Sequence, residues 1–233
     1  MAIGNRVYLQ RNLPPKELVD AYRELPAANV ADSMGRLCAL SPAIKRLAHA
    51  GGRIMCGVAL TVKSRGGDNL MLHEAMNISQ PGDVIVYSGD RGRERSIMGE
   101  IMYRYLEGFK KIEGVVIDGP IRDIDAISQG ELPIYATGTT PGGPYKDGTG
   151  EVNVPISCGG ITVNPGDIIL GDLDGVIVIP RQDAAEILEK AQKLAANDHA
   201  KTENSAKGTV NRQWVDDLLT AKNVEIIDGC YPA

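Results

Sequence analysis

Arg122 and Asp123 stand side by side where an aliphatic run breaks: GVVIDGPIRDIDAI, Gly114 to Ile127, begins as a strand and then turns polar. An arginine fork can clamp a carboxylate through two parallel hydrogen bonds. A neighbouring aspartate can hold a hard divalent cation that keeps most of its water. Together they suit a small anionic substrate that also chelates a metal. A strand ending in Asp-Gly-Pro and passing into a helix puts both side chains at the carboxyl end of a sheet strand, where α/β proteins bind ligands. A plainer reading stays open, in which Arg122 pairs with Asp123 or Asp125 across the first helical turn as a solvated cap worth roughly a few tenths of a kcal/mol.

Other candidates weigh less. Lys63, at a strand end, has the chemistry for a Schiff base, but a lysine there more often snorkels to solvent. His49, His73 and His199 have no ligand spacing with one another or with the cysteines, which argues against zinc. Cys38, Cys56, Cys158 and Cys230 are widely separated and read as reduced thiols. The segment GTTPGGPYKDGTG lacks the Gly-Lys-Ser/Thr ending of a phosphate loop. Arg91, Arg93 and Arg95 read as a solvated loop, and His73 as a residue bordering the pocket near the Gly66-Gly67-Asp68-Asn69 turn.

The elements that must hold these residues are short. Periodicity predicts a helix from about Pro15 to Leu25 and a second from Ala28 to Gly35. RIMCGVALTVK, Arg53 to Lys63, reads as a strand in which Gly57 marks a bulge or close contact. A helix capped by Asp68 follows, with Leu72, Ala75 and Met76 inward, then a strand after Pro81. Ser96 to Lys110 reads as a helix packed on a sheet through Ile97, Ile101, Tyr105 and Phe109. Strand Gly114–Asp118, a turn, a short helix and strand Leu132–Thr137 make an α/β unit. A glycine-rich loop to Gly150, a small β-meander and a long helix capped near Asp183 and ending at Gly208 complete the pattern. The expected organisation is a domain over residues 1–208 and an extension over 209–233 that packs on the domain or on a neighbouring subunit.

Composition sets the outer limits. Hydrophobic residues make up 43% of the 233, aromatics 4%, with 27 glycines and 13 prolines, so the core is aliphatic and the chain rich in turns. A formal charge of −5 gives no footprint for a nucleic-acid backbone. No apolar leader and no run of about eighteen apolar residues occurs, which points to a cytoplasmic chain with no membrane partner.

The segments GDNLMLHEAMNISQPGDVIV, GEIM, GVVIDGPIRDIDAI and VNVPISCGGITVNPGDIILGDLDGVIVIP, together with the final helix, occur in this order. The chain from about Val30 to Lys201 thereby resembles the class II pyruvate aldolases acting on 4-hydroxy-4-methyl-2-oxoglutarate and 4-carboxy-4-hydroxy-2-oxoadipate. These belong to the RraA-like family, named after a regulator of ribonuclease activity. The resemblance implies a β/β/α swivelling-domain core, a homotrimer or homohexamer, and small 2-oxo acid substrates. It implies that Arg122 binds the pyruvyl carboxylate, that Asp123 holds Mg²⁺ or Mn²⁺, and that Gly99, Glu100, Ile101 and Met102 supply backbone donors. Glu100 stands where the aldolases carry Asp. Asp198 or His199, in Ala-Asn-Asp-His-Ala-Lys, stands where they carry a glutamate that reaches a neighbouring subunit's site. One extra residue lies between Glu100 and Arg122, placed at KKIEG. The implied activity is lyase cleavage with oxaloacetate decarboxylation beside it; the alternative is a non-catalytic regulator of a ribonuclease.

Overall fold

A computed structural model describes residues 4–48, 52–90, 92 and 94–231; His49, Arg91 and Arg93 lie outside them. In chain order the elements are β1 (Asn5–Val7), α1 (Lys16–Tyr22), α2 (Ala27–Ser33), β2 (Lys45–Arg46), β3 (Met55–Ser64), α3 (Leu70–Ile78), β4 (Asp83–Ser88) and α4 (Glu100–Arg104). A π-helical turn (Tyr105–Lys110) extends α4. Then come β5 (Gly114–Ile121), α5 (Ile124–Ile127), β6 (Ile134–Thr139), β7 (Gly150–Val152), β8 (Ile156–Cys158), β9 (Ile161–Val163), β10 (Ile168–Gly171), β11 (Val176–Ile179), α6 (Ala184–Ala206) and α7 (Gln213–Ala221). The chain divides into two compact units, one running to Lys193 and the other from Leu194.

The heart of the first unit is a run of parallel pairs, β3 with β4, β4 with β5 and β5 with β6. Period-two alternation sends their side chains into two cores. Leu60, Val62, Ile85, Tyr87, Val115 and Ile117 meet α3, α4 and α5 on one face. Ala59, Val84, Val86 and Val116 meet Ile156, Cys158 and Val163 of the β8–β9 hairpin, with Ile169, Val176 and Val178 of β10–β11, on the other. A small β layer, a central sheet and a helical layer result, the mixed α/β architecture expected. The expected meander is two antiparallel hairpins, β8–β9 as a separate sheet and β10–β11 joined to β3. Gly57 is the close contact: a Cβ there would come 2.6 Å from the Gly82 carbonyl oxygen.

Three local expectations change. The helix expected from Ser96 begins at Glu100, because the preceding residues are extended and Ile97 donates its N–H to Pro120 across to β5 (2.9 Å). Its buried face is Met102, Tyr103 and Leu106, while Ile101 is 87% and Phe109 72% exposed, so the stripe Ile101–Tyr105–Phe109 faces outward. A π turn holds one residue more than an α turn, and it falls at Tyr105–Lys110, ending on the first residue of the KKIEG segment. Finally, β5 does not stop at Asp118. It runs through Gly119 and Pro120 to Ile121 with a register shift after Ile117, an irregularity of the kind that tolerates proline in a strand.

Candidate active site

Four segments, each leaving the carboxyl end of one of the parallel strands β3, β4, β5 and β6, converge on one cavity of about 190 Å³. They bring Asn69 and His73 from the head of α3, residues 97–102 from the start of α4, Arg122 and Asp123 from the end of β5, and Pro144 and Lys146 from the glycine-rich loop. This convergence is a consequence of parallel topology, which places successive strand ends on one edge.

The Arg122–Asp123 pair is set by backbone. Arg122 donates its N–H to the Met98 carbonyl oxygen (2.9 Å), so residues 97–99 run alongside the end of β5. Gly99 lies against the pair: a Cβ there would run into Asp123 Oδ2 and stand 3.0 Å from Arg122 Nε. Asp123 adopts φ +58, left-handed for a non-glycine residue. Such strain is stored where surroundings enforce it, and here the Glu100 N–H donates to Asp123 Oδ2 (3.0 Å). Arg122 Nε stands 3.5 Å from the same oxygen, with both side chains nearly half exposed, so the pair adds little stability. The terminal guanidinium nitrogens have no protein partner among the described residues, and no cap to Asp125 forms.

Of the four expected backbone donors, the Glu100 N–H is taken by Asp123, and Tyr103 is the first residue to donate back along the helix, to the Gly99 carbonyl oxygen (3.1 Å). The amides of Ile101 and Met102 remain as helix-start donors. The Glu100 carboxylate turns to Arg104 (3.5 Å) and lies outside the cavity lining. Asp198 and His199 lie on α6 in the second unit, with Asp198 paired to Lys201 (3.0 Å). Lys63 lines a different hollow with Arg6 and Glu151.

The opposite wall was less visible in the sequence. His73 borders the cavity as expected, and burial, then the Lys146 ammonium, hold its imidazole below the ordinary range. Asn69 donates to the Ile97 carbonyl oxygen (2.9 Å), and its own Oδ1 is buried with no partner among the described residues. Lys146 sits in the glycine-rich loop, which has no helical or strand period to single it out; its one local signal is a cationic residue in the loop that follows a parallel strand. Asp68 is not the α3 N-cap, a position held by Asn69, but it accepts the Leu70 N–H (2.9 Å) from one residue further out.

The donor set can be tested against a metal ion. Asp123 is the one carboxylate lining the cavity, and no cluster of three or more His, Cys, Asp or Glu suits a metal among the described residues. Its carboxylate meets the Glu100 N–H and Arg122 Nε through Oδ2, and Oδ1 has no polar contact among the described residues. One oxygen ligand fits Mg²⁺ or Mn²⁺, which keep several waters, and does not fit a structural zinc site.

Fold and site together define a three-layer α/β protein with an arginine–aspartate pair at the carboxyl edge of a run of parallel strands. Residues 27–178 match the RraA-like family, described as Aldolase/RraA, and the chain belongs to that family. It is 39% identical over 188 residues to a Halalkalibacterium halodurans protein provisionally named a 4-hydroxy-4-methyl-2-oxoglutarate aldolase, covering 79% of this chain and 87% of that one. An Ectopseudomonas mendocina protein with the same provisional name is 30% identical over 167 residues, 71% of this chain and 93% of that one. Among solved structures, a Streptomyces coelicolor protein described as an unusual member of the RNase ES inhibitor RraA protein family superposes with a TM-score of 0.69 at 27% identity, covering 85% of this chain and 99% of that one. No helix among the described residues is long and apolar enough to cross a membrane.

Proposed function

We propose that the protein is a divalent-metal-dependent aldolase that cleaves 4-hydroxy-2-oxo diacids, such as 4-hydroxy-4-methyl-2-oxoglutarate and 4-carboxy-4-hydroxy-2-oxoadipate, to pyruvate and an oxo acid, with oxaloacetate decarboxylation as a second activity. The observation that carries this reading is the unpartnered Arg122 fork beside Asp123, in a cavity also lined by Lys146. The names of the aldolase relatives agree with it.

Arg122 would clamp the pyruvyl carboxylate and fix the 2-oxo group between Asp123 and the start of α4. Asp123 would hold Mg²⁺ or Mn²⁺, which when bound supplies positive charge to the oxygen where negative charge develops. The Ile101 and Met102 amides add preorganised dipoles on the same side. In cleavage the C4 hydroxyl gives up its proton, the C3–C4 bond breaks, and its electrons pass into the pyruvate enolate, which is protonated at C3. Decarboxylation of oxaloacetate breaks a C–C bond to an ionised carboxylate and leaves the same enolate. Lys146 would give a diacid's second carboxylate a cation, and the Glu100 carboxylate, turned to Arg104 in this structure, would have to swing toward Asp123 to hold water there. The exposed Ile101–Tyr105–Phe109 stripe supports a trimer or hexamer, in which Asp198 or His199 of another copy would serve as the proton acceptor.

Pyruvate release from a panel of 4-hydroxy-2-oxo diacids and oxaloacetate, with and without Mg²⁺ or Mn²⁺, tests the proposal. Metal-dependent release from at least one diacid is expected. No release from any of them would favour the ribonuclease-regulator reading, which the likeness to the RraA structures supports and which needs neither Arg122 nor Asp123.

A further inference from the structure

The buried carboxylate of Asp68 has no part in the chemistry above, yet it has more partners than a loop residue needs. Its side chain is 0% exposed. Oδ2 accepts the N–H groups of Asp147 (2.7 Å) and Gly148 (3.0 Å), while Oδ1 accepts that of Leu70 (2.9 Å). Arg65 Nη2 lies 3.6 Å from Oδ2. Its backbone carbonyl accepts from Tyr87 Oη (2.7 Å) and Ser64 Oγ (3.1 Å), anchoring it on the ends of β4 and β3. Beside it, Tyr145 donates its N–H to the Gly67 carbonyl oxygen (2.8 Å) and Asn69 donates to that of Tyr145 (3.0 Å). The turn that starts α3 and the glycine-rich loop are thus fastened along residues 67–70 and 145–148. These two segments carry Asn69, His73 and Lys146, the wall that complements Arg122 and Asp123.

We propose that Asp68 is a positioning residue: its carboxylate clasps the glycine-rich loop to the head of α3 and so sets the part of the cavity that meets the substrate beyond its pyruvyl group. The inference rests on the aldolase reading, since it assigns Lys146 to the second carboxylate of a diacid. Three backbone donors converge on two acceptor oxygens, a demand that an ionised carboxylate meets and an amide does not. Asp68→Asn keeps the shape but turns an –NH₂ toward at least one buried N–H, which loosens the clasp without touching Arg122 or Asp123.

The test compares full-length wild type, Asp68→Asn, Lys146→Met and the double variant by calorimetry with pyruvate and with 2-oxoglutarate, a diacid lacking the 4-hydroxyl, in the presence of Mg²⁺. Hydrogen exchange at the Asp147 and Gly148 amides is measured alongside. Asp68→Asn is expected to weaken 2-oxoglutarate at least tenfold, leave pyruvate within twofold and speed exchange at both amides at least tenfold. The double variant should bind 2-oxoglutarate within twofold of Lys146→Met alone, because both substitutions disable one interaction. Equal weakening of both ligands by Asp68→Asn, or of neither, would overturn the positioning role, as would unchanged exchange. A wild type that binds neither 2-oxo acid would overturn the aldolase reading and the clasp's role with it, while unaltered exchange in Asp68→Asn would sink the clasp alone.

Discussion

Gly99→Ala isolates the geometry of the site from the stability of the fold. Gly99 has φ −138 and ψ −172, an extended conformation open to any residue, so the substitution brings no backbone strain. The added methyl is driven into Asp123 Oδ2, and stands 3.0 Å from Arg122 Nε and 3.2 Å from Arg122 Cγ. All three atoms belong to side chains nearly half exposed, so they can yield and the loss of stability should be small. What yields, however, is the carboxylate and guanidinium on which the reaction depends. Restoring contact distance requires a retreat of about 1 Å, and misplacement on that scale costs on the order of 100-fold in a positioned active site, about 2.7 kcal/mol of barrier. The assay is pyruvate release coupled to lactate dehydrogenase, read as kcat/KM, with Tm by differential scanning fluorimetry. The expected result is a kcat/KM lower by about 100-fold with Tm within about 3 °C of wild type. Wild-type kcat/KM in Gly99→Ala would refute the idea that the backbone of residue 99 sets the pair.

Three further outcomes are expected. Arg122→Lys should raise KM at least about tenfold, near 1.4 kcal/mol, because an ammonium cannot reproduce the bidentate fork; unchanged kinetics would make the arginine structural. The His73 imidazole should titrate below its ordinary value of 6.5 by NMR, and Lys146→Met should raise that value while burial keeps it below 6.5. Because the folded-state value is depressed, the unfolded chain takes up the proton first as pH falls, so this contribution is level above about 6.5 and declines below it; denaturant titrations of His73→Gln should show a shallower acid decline. Asp198→Ala or His199→Ala should lower aldol cleavage at least about tenfold, near 1.4 kcal/mol, with a smaller effect on oxaloacetate decarboxylation, whose carboxylate needs no base; equal effects on both reactions would remove these residues from proton transfer.

The central strands and the Arg122–Asp123 pair were legible because each rests on a local signal: short aliphatic runs, and an abrupt polar break after one of them. The buried face of α4 was not. Ile97, Ile101, Tyr105 and Phe109 keep a step of four, but the helix begins only at Glu100 and changes to a π turn at Tyr105, so the stripe falls outside. The length of β5 was hidden because Gly119 and Pro120 write a turn into a strand that absorbs them at an irregularity. Asn69 and Lys146 lie 77 residues apart and meet only through tertiary hydrogen bonds such as those of Asp68, which no local pattern announces.

Titration of Mn²⁺ into metal-stripped wild type and Asp123→Asn, following pyruvate release from 4-hydroxy-4-methyl-2-oxoglutarate, bears most directly on the central claim. Among the described residues Asp123 is the one carboxylate lining the cavity, so it is the anionic ligand that a hard cation would take there. Wild type should be inactive when stripped and should recover saturably as Mn²⁺ is added, while Asp123→Asn should recover little or require far more metal. A full rate in stripped wild type, or matching titration curves for the two proteins, would contradict it.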